Sequence, residues 1–132
     1  MMERVLRIAS DTLKSVAKEL AAEGFDHVKS LTGMDRLEEG LIELVYHISS
    51  YLNPALRGRI VEVRTEVDRS RPIINSISDV FPSCRYMELE TRDLLGVKFE
   101  GNEEPDPLIL PEELKNTWPL RKDYKIPEEG VE

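Results

Sequence analysis

The sequence predicts a two-layer α/β (α+β) fold: a mixed β-sheet with helices packed on one face, followed by an extended proline-rich C-terminal tail. Three observations carry this: helical apolar spacing near the start, period-two alternation in the middle, and a shift to proline after residue 96. Val5, Ile8, Ala9, Leu13, Val16, Ala17 and Leu20 recur at steps of three and four, which predicts an amphipathic helix over about residues 3–23. Gly24 supplies a left-handed stop, and Phe25 can fold back onto Leu20. Residues 27–34 read as a strand, and a polar turn ends at Gly40. Ile42, Leu44, Tyr46 and Ile48 then alternate with Glu43, Val45, His47 and Ser49. Val61, Val63, Thr65 and Val67 alternate in the same way with Glu62, Arg64 and Glu66, a polar face expected to meet solvent or a partner. Pro72 ends that pairing. Ser76 is placed to cap a short turn through Phe81, with Asp79 at capping-box spacing, and Ser83 to cap a second helix reaching Leu95. Within that helix Glu88 and Arg92 are spaced to pair, and Gly96 is its stop.

A compact domain is therefore expected over residues 1–96 and a tail over 97–132. The tail carries Pro105, Pro107, Pro111, Pro119 and Pro127, with at most a short helix at 111–116. It also carries Phe99, Leu108, Ile109, Leu110, Trp118 and Leu120, richer in apolar residues than a purely disordered segment. Such a tail is expected to lie on a surface. A partner's surface is the first reading; the other is its own domain, with Trp118 filling a gap.

Composition narrows the function by exclusion. A chain of 132 residues supports one core, and its net charge of −8 argues against nucleic acid and anionic lipid. No stretch approaches the roughly 18 apolar residues of a membrane span, and the charged N-terminus reads as a helix rather than a signal peptide. The single cysteine, Cys84, allows no internal disulfide, fits a reducing cytoplasm, and is too few for an iron–sulfur cluster of the chain's own. His27 and His47 fall on different strands without zinc-ligand spacing. A Cys84–His47 nucleophile and base is outweighed by Cys84 as a small buried residue. Glu88 and Glu90 point to different sides of a helix, so Glu88, Glu90 and Asp93 read as a charged face, not an acid–base pair. Gly96 and Gly101 lack phosphate-loop spacing. No catalytic, cofactor-binding or metal-binding residue is assigned.

Two blocks near the C-terminus do carry a pattern. The first runs Ser83-Cys84-Arg85-Tyr86-Met87-Glu88-Leu89-Glu90-Thr91-Arg92-Asp93-Leu94-Leu95-Gly96-Val97-Lys98-Phe99. After Leu110-Pro111-Glu112-Glu113 comes the second, Trp118-Pro119-Leu120-Arg121-Lys122-Asp123-Tyr124. Together they resemble the thirty-kilodalton subunit family of NADH:quinone oxidoreductase, respiratory complex I. The family's aromatic, Glu-x-Glu and Asp-x-x-Gly-(Ile/Val)-x-Phe positions correspond to Tyr86, Glu88, Glu90, Asp93, Gly96, Val97 and Phe99. Its Pro-Leu-Arg-Lys-Asp-(Tyr/Phe) run is matched without a gap. The likeness extends more loosely to Gly24-Phe25, Leu31-Thr32-Gly33-Met34-Asp35 and Tyr46-His47-Ile48. Leu89 replaces the central Arg of the family's Glu-Arg-Glu, and Gly101-Asn102-Glu103 stands where Gly-His-Pro is usual. Compact relatives occur in energy-converting membrane-bound nickel–iron hydrogenases and in ferredoxin- or F420-linked complexes, so the electron donor stays open. The resemblance implies a subunit without catalysis or cofactor of its own, on the cytoplasmic side of a membrane-bound complex. Iron–sulfur clusters, and any nickel–iron, FMN or quinone site, would belong to its partners. Those implied are the large catalytic subunit (of the forty-nine-kilodalton type) and the small iron–sulfur subunit (of the twenty-kilodalton type), with the tail docked on them.

Overall fold

Alternating apolar and polar residues make an antiparallel meander of β2 (His27–Arg36), β3 (Leu41–Ser49) and β4 (Ile60–Asp68) in the computed structural model, which describes residues 2–125. Ile42, Leu44, Tyr46 and Ile48 stand opposite Val67, Thr65, Val63 and Val61, so one face of the meander is almost wholly apolar. α1 (Leu13–Glu23) and α2 (Arg85–Leu95) both cover that face, contributing Leu13, Ala17, Leu20 and Leu95 to the core around Tyr46 and Phe81. The result is the expected two-layer α+β architecture.

The N-terminal helix is shorter than its apolar spacing predicts. Residues 2–7 form a strand, β1, parallel to β4 at the sheet edge, giving the order β1-β4-β3-β2. Leu6 and Ile8 pack against the core, while Val5 is half exposed. Ala9 is still extended and Ser10–Thr12 form a tight turn before the helix begins at Leu13. The free edge of β4 outcompeted a weak helical preference, which tertiary pairing commonly does.

The boundary expected at residue 96 falls inside packed structure. β6 (Lys98–Glu100) pairs in parallel with β5 (Ile73–Asn75), and Val97 and Phe99 are buried in the core. The described tail beyond β6 and Asn102, residues 103–125 (hereafter the strap), lies on this chain's own domain rather than reaching away from it. Glu112–Leu114 form one short turn within it. Pro127 and the rest of 126–132 lie outside the described residues.

Three local expectations are corrected. Ser83 does not cap α2: its hydroxyl accepts from the Val28 N–H at 3.0 Å and donates to the Val28 carbonyl at 3.2 Å, latching the helix start to β2. Ser76 does cap the turn, its hydroxyl accepting the Ser78 N–H at 3.0 Å, but Asp79 completes no capping box and instead pairs with Lys14 at 2.8 Å. Glu88 and Arg92 do not pair, because Glu88 is fully buried and Arg92 turns to Asp93 and the strap.

Among the described residues no helix covers the sheet's other face, and several of its charges satisfy one another. Arg36 donates to Glu43, Arg64 to both Glu43 and Glu62, and Glu62 meets His47 Nε2 at 2.9 Å. The hydrogen bond to His47, then that from Arg64, holds the Glu62 carboxyl below its ordinary range.

Candidate functional site at the end of the second helix

α2 turns two carboxylates inward, and each is hydrogen-bonded within the chain. Glu88 is completely buried with four donors around it. Ser76 Oγ (2.6 Å) and Asn102 Nδ2 (2.9 Å) reach Oε1, while the Ile77 N–H (2.9 Å) and the Cys84 thiol (3.7 Å) reach Oε2. A carboxylate held this way ties α2 to the segments on both sides of it, and its full set of donors offsets the cost of burial. Burial, then the neighbouring Glu88 charge, pushes the Cys84 thiol far up, which suits a packing residue and not a nucleophile.

Asp93 works with its neighbour. Arg92 donates to the carbonyls of Glu104 (2.7 Å) and Asp106 (3.0 Å), and Asp93 Oδ2 accepts the N–H groups of Leu108 (2.7 Å) and Ile109 (2.8 Å). The Arg92 guanidinium also meets Asp93 Oδ1 at 2.6 Å. Two adjacent side chains thus satisfy four backbone groups of an irregular segment that has no ladder to pair with. Burial raises the Asp93 carboxyl, but the Ile109 N–H, Arg92 and the Leu108 N–H together outweigh it, leaving the group below its ordinary value.

Gly96 ends α2 at φ 84°, and a Cβ there would fall 2.8 Å from the Trp118 indole, which closes over the helix terminus. The Leu120 N–H donates to the Leu94 carbonyl (2.9 Å), and Arg121 Nε to the Leu95 carbonyl (2.8 Å). A guanidinium at a helix C-terminus is favourably placed against the dipole. As a basic pair in an acidic chain, Arg121 and Lys122 are expected to meet carboxylates or helix C-termini on a partner; Arg121 meets the end of α2 in its own chain. Farther along, buried Asp35 takes Arg69 in a two-pronged pair at 2.7 and 3.0 Å and the Lys122 N–H at 2.7 Å, and Arg69 reaches Asp123 at 2.7 Å. An open groove of about 620 Å³ remains between Trp118, Arg121, Arg69, Pro72 and Leu37.

The residues singled out from the sequence therefore divide. Glu88, Asp93 and Phe99 are buried and Gly96 sits under Trp118, so these four hold the fold and the strap. Pro119 and Tyr124 are partly covered, Lys122 and Asp123 are exposed, and Tyr86, Glu90 and Leu120 point outward. Cys84 and His47 do not converge, since Cys84 lies in the core and His47 faces Ser30 and Glu62 on the other side of the sheet. His27 is more buried than expected, stacked on Tyr51 at 3.6 Å. Among the described residues no three His, Cys, Asp or Glu side chains converge as metal ligands. Sequence reasoning gave no role to Asp35, Arg69 or Asn102, whose partners stand 14 to 87 residues away. It also missed the contact at Gly33, where a Cβ would come within 2.4 Å of the Leu95 side chain and force it to shift.

A small α+β chain of this kind has a counterpart in a respiratory membrane complex. The model of the respiratory-chain NADH dehydrogenase 30 kDa subunit matches residues 6–130, and the chain belongs to that family. It is thus a subunit of a complex I-like respiratory oxidoreductase. The C subunit of the F420H2 dehydrogenase of Methanosarcina mazei is 34% identical over 129 residues, covering 94% of this chain and 79% of the relative. The C subunit of the NADH-quinone oxidoreductase of Moorella thermoacetica is 33% identical over 128 residues, covering 96% and 83%. Among solved structures, the archaeal membrane-bound sulfane sulfur reductase contains a chain that superposes with a TM-score of 0.81 at 29% identity, covering 94% of this chain and 74% of that one. The fold alone is shared with a trypsin-resistant fragment of Nqo5, at a TM-score of 0.68 and 24% identity, covering 76% and 80%.

Proposed function

We propose that this chain is a non-catalytic assembly subunit, holding the large catalytic subunit and the small iron–sulfur subunit together on the cytoplasmic side of the membrane. Electron transfer, and any coupled ion movement, would run through cofactors of those partners and none of this chain's own. One observation carries the reading: relatives of nearly equal similarity, 34% and 33% identical, are named for different electron donors, F420H2 and NADH. A subunit that handled the donor would be expected to track it; a scaffold need not. The geometry supports the same view, since Glu88, Asp93, Asp35 and Cys84 are committed to buried structural contacts.

The test is to tag this chain, purify what accompanies it from solubilised membranes, and measure metal in the complex and in the full chain alone. Co-purified iron–sulfur subunits, with a colourless and metal-free isolated chain, are expected. Stoichiometric iron or zinc in the isolated chain, or redox activity without partners, would refute the scaffold role.

A further inference from the structure

Between residues 104 and 109 the strap is pinned by its backbone, and that leaves Leu108 and Ile109 facing out. Arg92 and Asp93 occupy carbonyls and N–H groups between residues 104 and 109, while Leu108 and Ile109 are 41% and 47% exposed. Nearby Tyr86 is 63% exposed, with the Arg85 guanidinium 5.5 Å from its ring centroid. Between Tyr86 and Leu108, floored by buried Leu89 and edged by Pro107, lies an open depression of about 210 Å³. Exposed apolar side chains on an ordered backbone, beside a depression the size of one side chain, form a preorganised binding surface.

Its charge names the kind of occupant. Glu104 and Asp106 line the depression beside Arg85, and the flanking segment between Lys98 and Lys115 adds Glu100, Glu103, Glu112 and Glu113 with no further Lys or Arg. Among the described residues only Glu104 of these six forms an ion pair, with Arg85 at 3.1 Å. An acidic rim repels nucleic acid, anionic lipid and a second copy of a chain that carries a net charge of −8. We infer that this surface docks a basic segment of another subunit, whose aliphatic or aromatic anchor seats between Tyr86 and Leu108 while its Lys and Arg side chains meet the rim. The inference rests on the scaffold reading and names the surface through which that role is exercised. Anchors in a central apolar pocket carry most interface energy, and the charged rim adds orientation and salt dependence.

The test places a photo-cross-linking phenylalanine analogue at position 108 of the full chain, with Lys18 on α1 as a second position, in cells assembling the complex. Capture at 108, and not at 18, of a stretch of another subunit in which Lys and Arg outnumber Asp and Glu is expected. Leu108→Arg keeps the N–H bonded to Asp93 and should lower retention of the chain in the purified complex about tenfold, most steeply at raised salt. Four results overturn the inference: capture of an acidic stretch, capture of a second copy, the same product from both positions, or full retention of Leu108→Arg. If the wild-type chain co-purifies yet position 108 captures nothing, the surface is wrong and the scaffold role stands. If the wild-type chain accompanies no respiratory subunit, both fall.

Discussion

Tyr46 and Phe81 in the body expose none of their surface and are held by apolar contact, whereas Leu108, Ile109 and Leu120 in the strap face outward. In the strap the main chain is held, by Asp93, Arg92, Asp35 and the Leu94 carbonyl, and the Arg121 side chain in turn holds the Leu95 carbonyl. Apolar packing is insensitive to pH and direction, while clamps of carboxylate and guanidinium on backbone are directional and titratable. The body can therefore stay folded while the strap is released, and experiments can separate the two.

The largest effect is expected in the body. Phe81→Ala should cost about 3–5 kcal/mol in denaturant unfolding, with strap and sheet lost together because both rest on the same core. Gly96→Val should cost less, about 2–4 kcal/mol, and act mainly on the strap. A β-branched residue is strained at φ 84°, and its side chain would displace Trp118. Trp118 is the only tryptophan, so its fluorescence reports the strap while far-ultraviolet circular dichroism reports the sheet. If Gly96→Val left the Trp118 emission and its unfolding midpoint unchanged, the closure over the helix end would be disproved.

Acid should separate the regions without mutation. Asp35 is held below its ordinary value by the hydrogen bond from Arg69 against the opposing effect of burial, and Asp93 is lowered despite burial. A carboxylate with a lowered folded value stabilises above its unfolded value of 3.8 and loses that contribution as pH falls through the folded one. Trp118 emission is therefore expected to change below about pH 3.8, ahead of the loss of sheet signal. Coincident transitions would show that the strap is no looser than the body. The smallest effect is expected from Tyr46→Phe. The buried Tyr46 hydroxyl has no hydrogen-bond partner among the described residues, so its removal should be neutral or stabilise by up to about 1 kcal/mol, read from the melting midpoint.

What could be read in the sequence follows the same division. β3 and β4 alternate apolar and polar residues, so their periodicity announced them, whereas α2 was read from its flanks, Ser83 and Gly96. Gly24 and Gly96 at left-handed helix ends were legible for a local reason too. β1 was not, because Val5, Ile8 and Leu13 fit a helical period and the partner that makes residues 2–7 a strand lies at residues 60–64. The strap was not legible because its fixed points are backbone groups, which carry no residue identity. Asp93 was singled out, but nothing in its spacing says that it receives the N–H groups of residues 108 and 109. The two motif blocks drew attention to this region by resemblance alone, while the pairing of Asp35 with Arg69 and Lys122 needed the folded chain.

The parallel pairing of β1 with β4 also has a consequence for the order of assembly. β2, β3 and β4 are joined by short connections and can pair as each follows the last, whereas Met2 must wait for Ile60. Closing a loop of that length costs entropy that only a preformed neighbour repays. During synthesis the first strand made is thus the last of the four to be placed. Until β4 has left the ribosome, Leu6 and Ile8 have no sheet to cover, so the nascent chain presents them to solvent or to a chaperone.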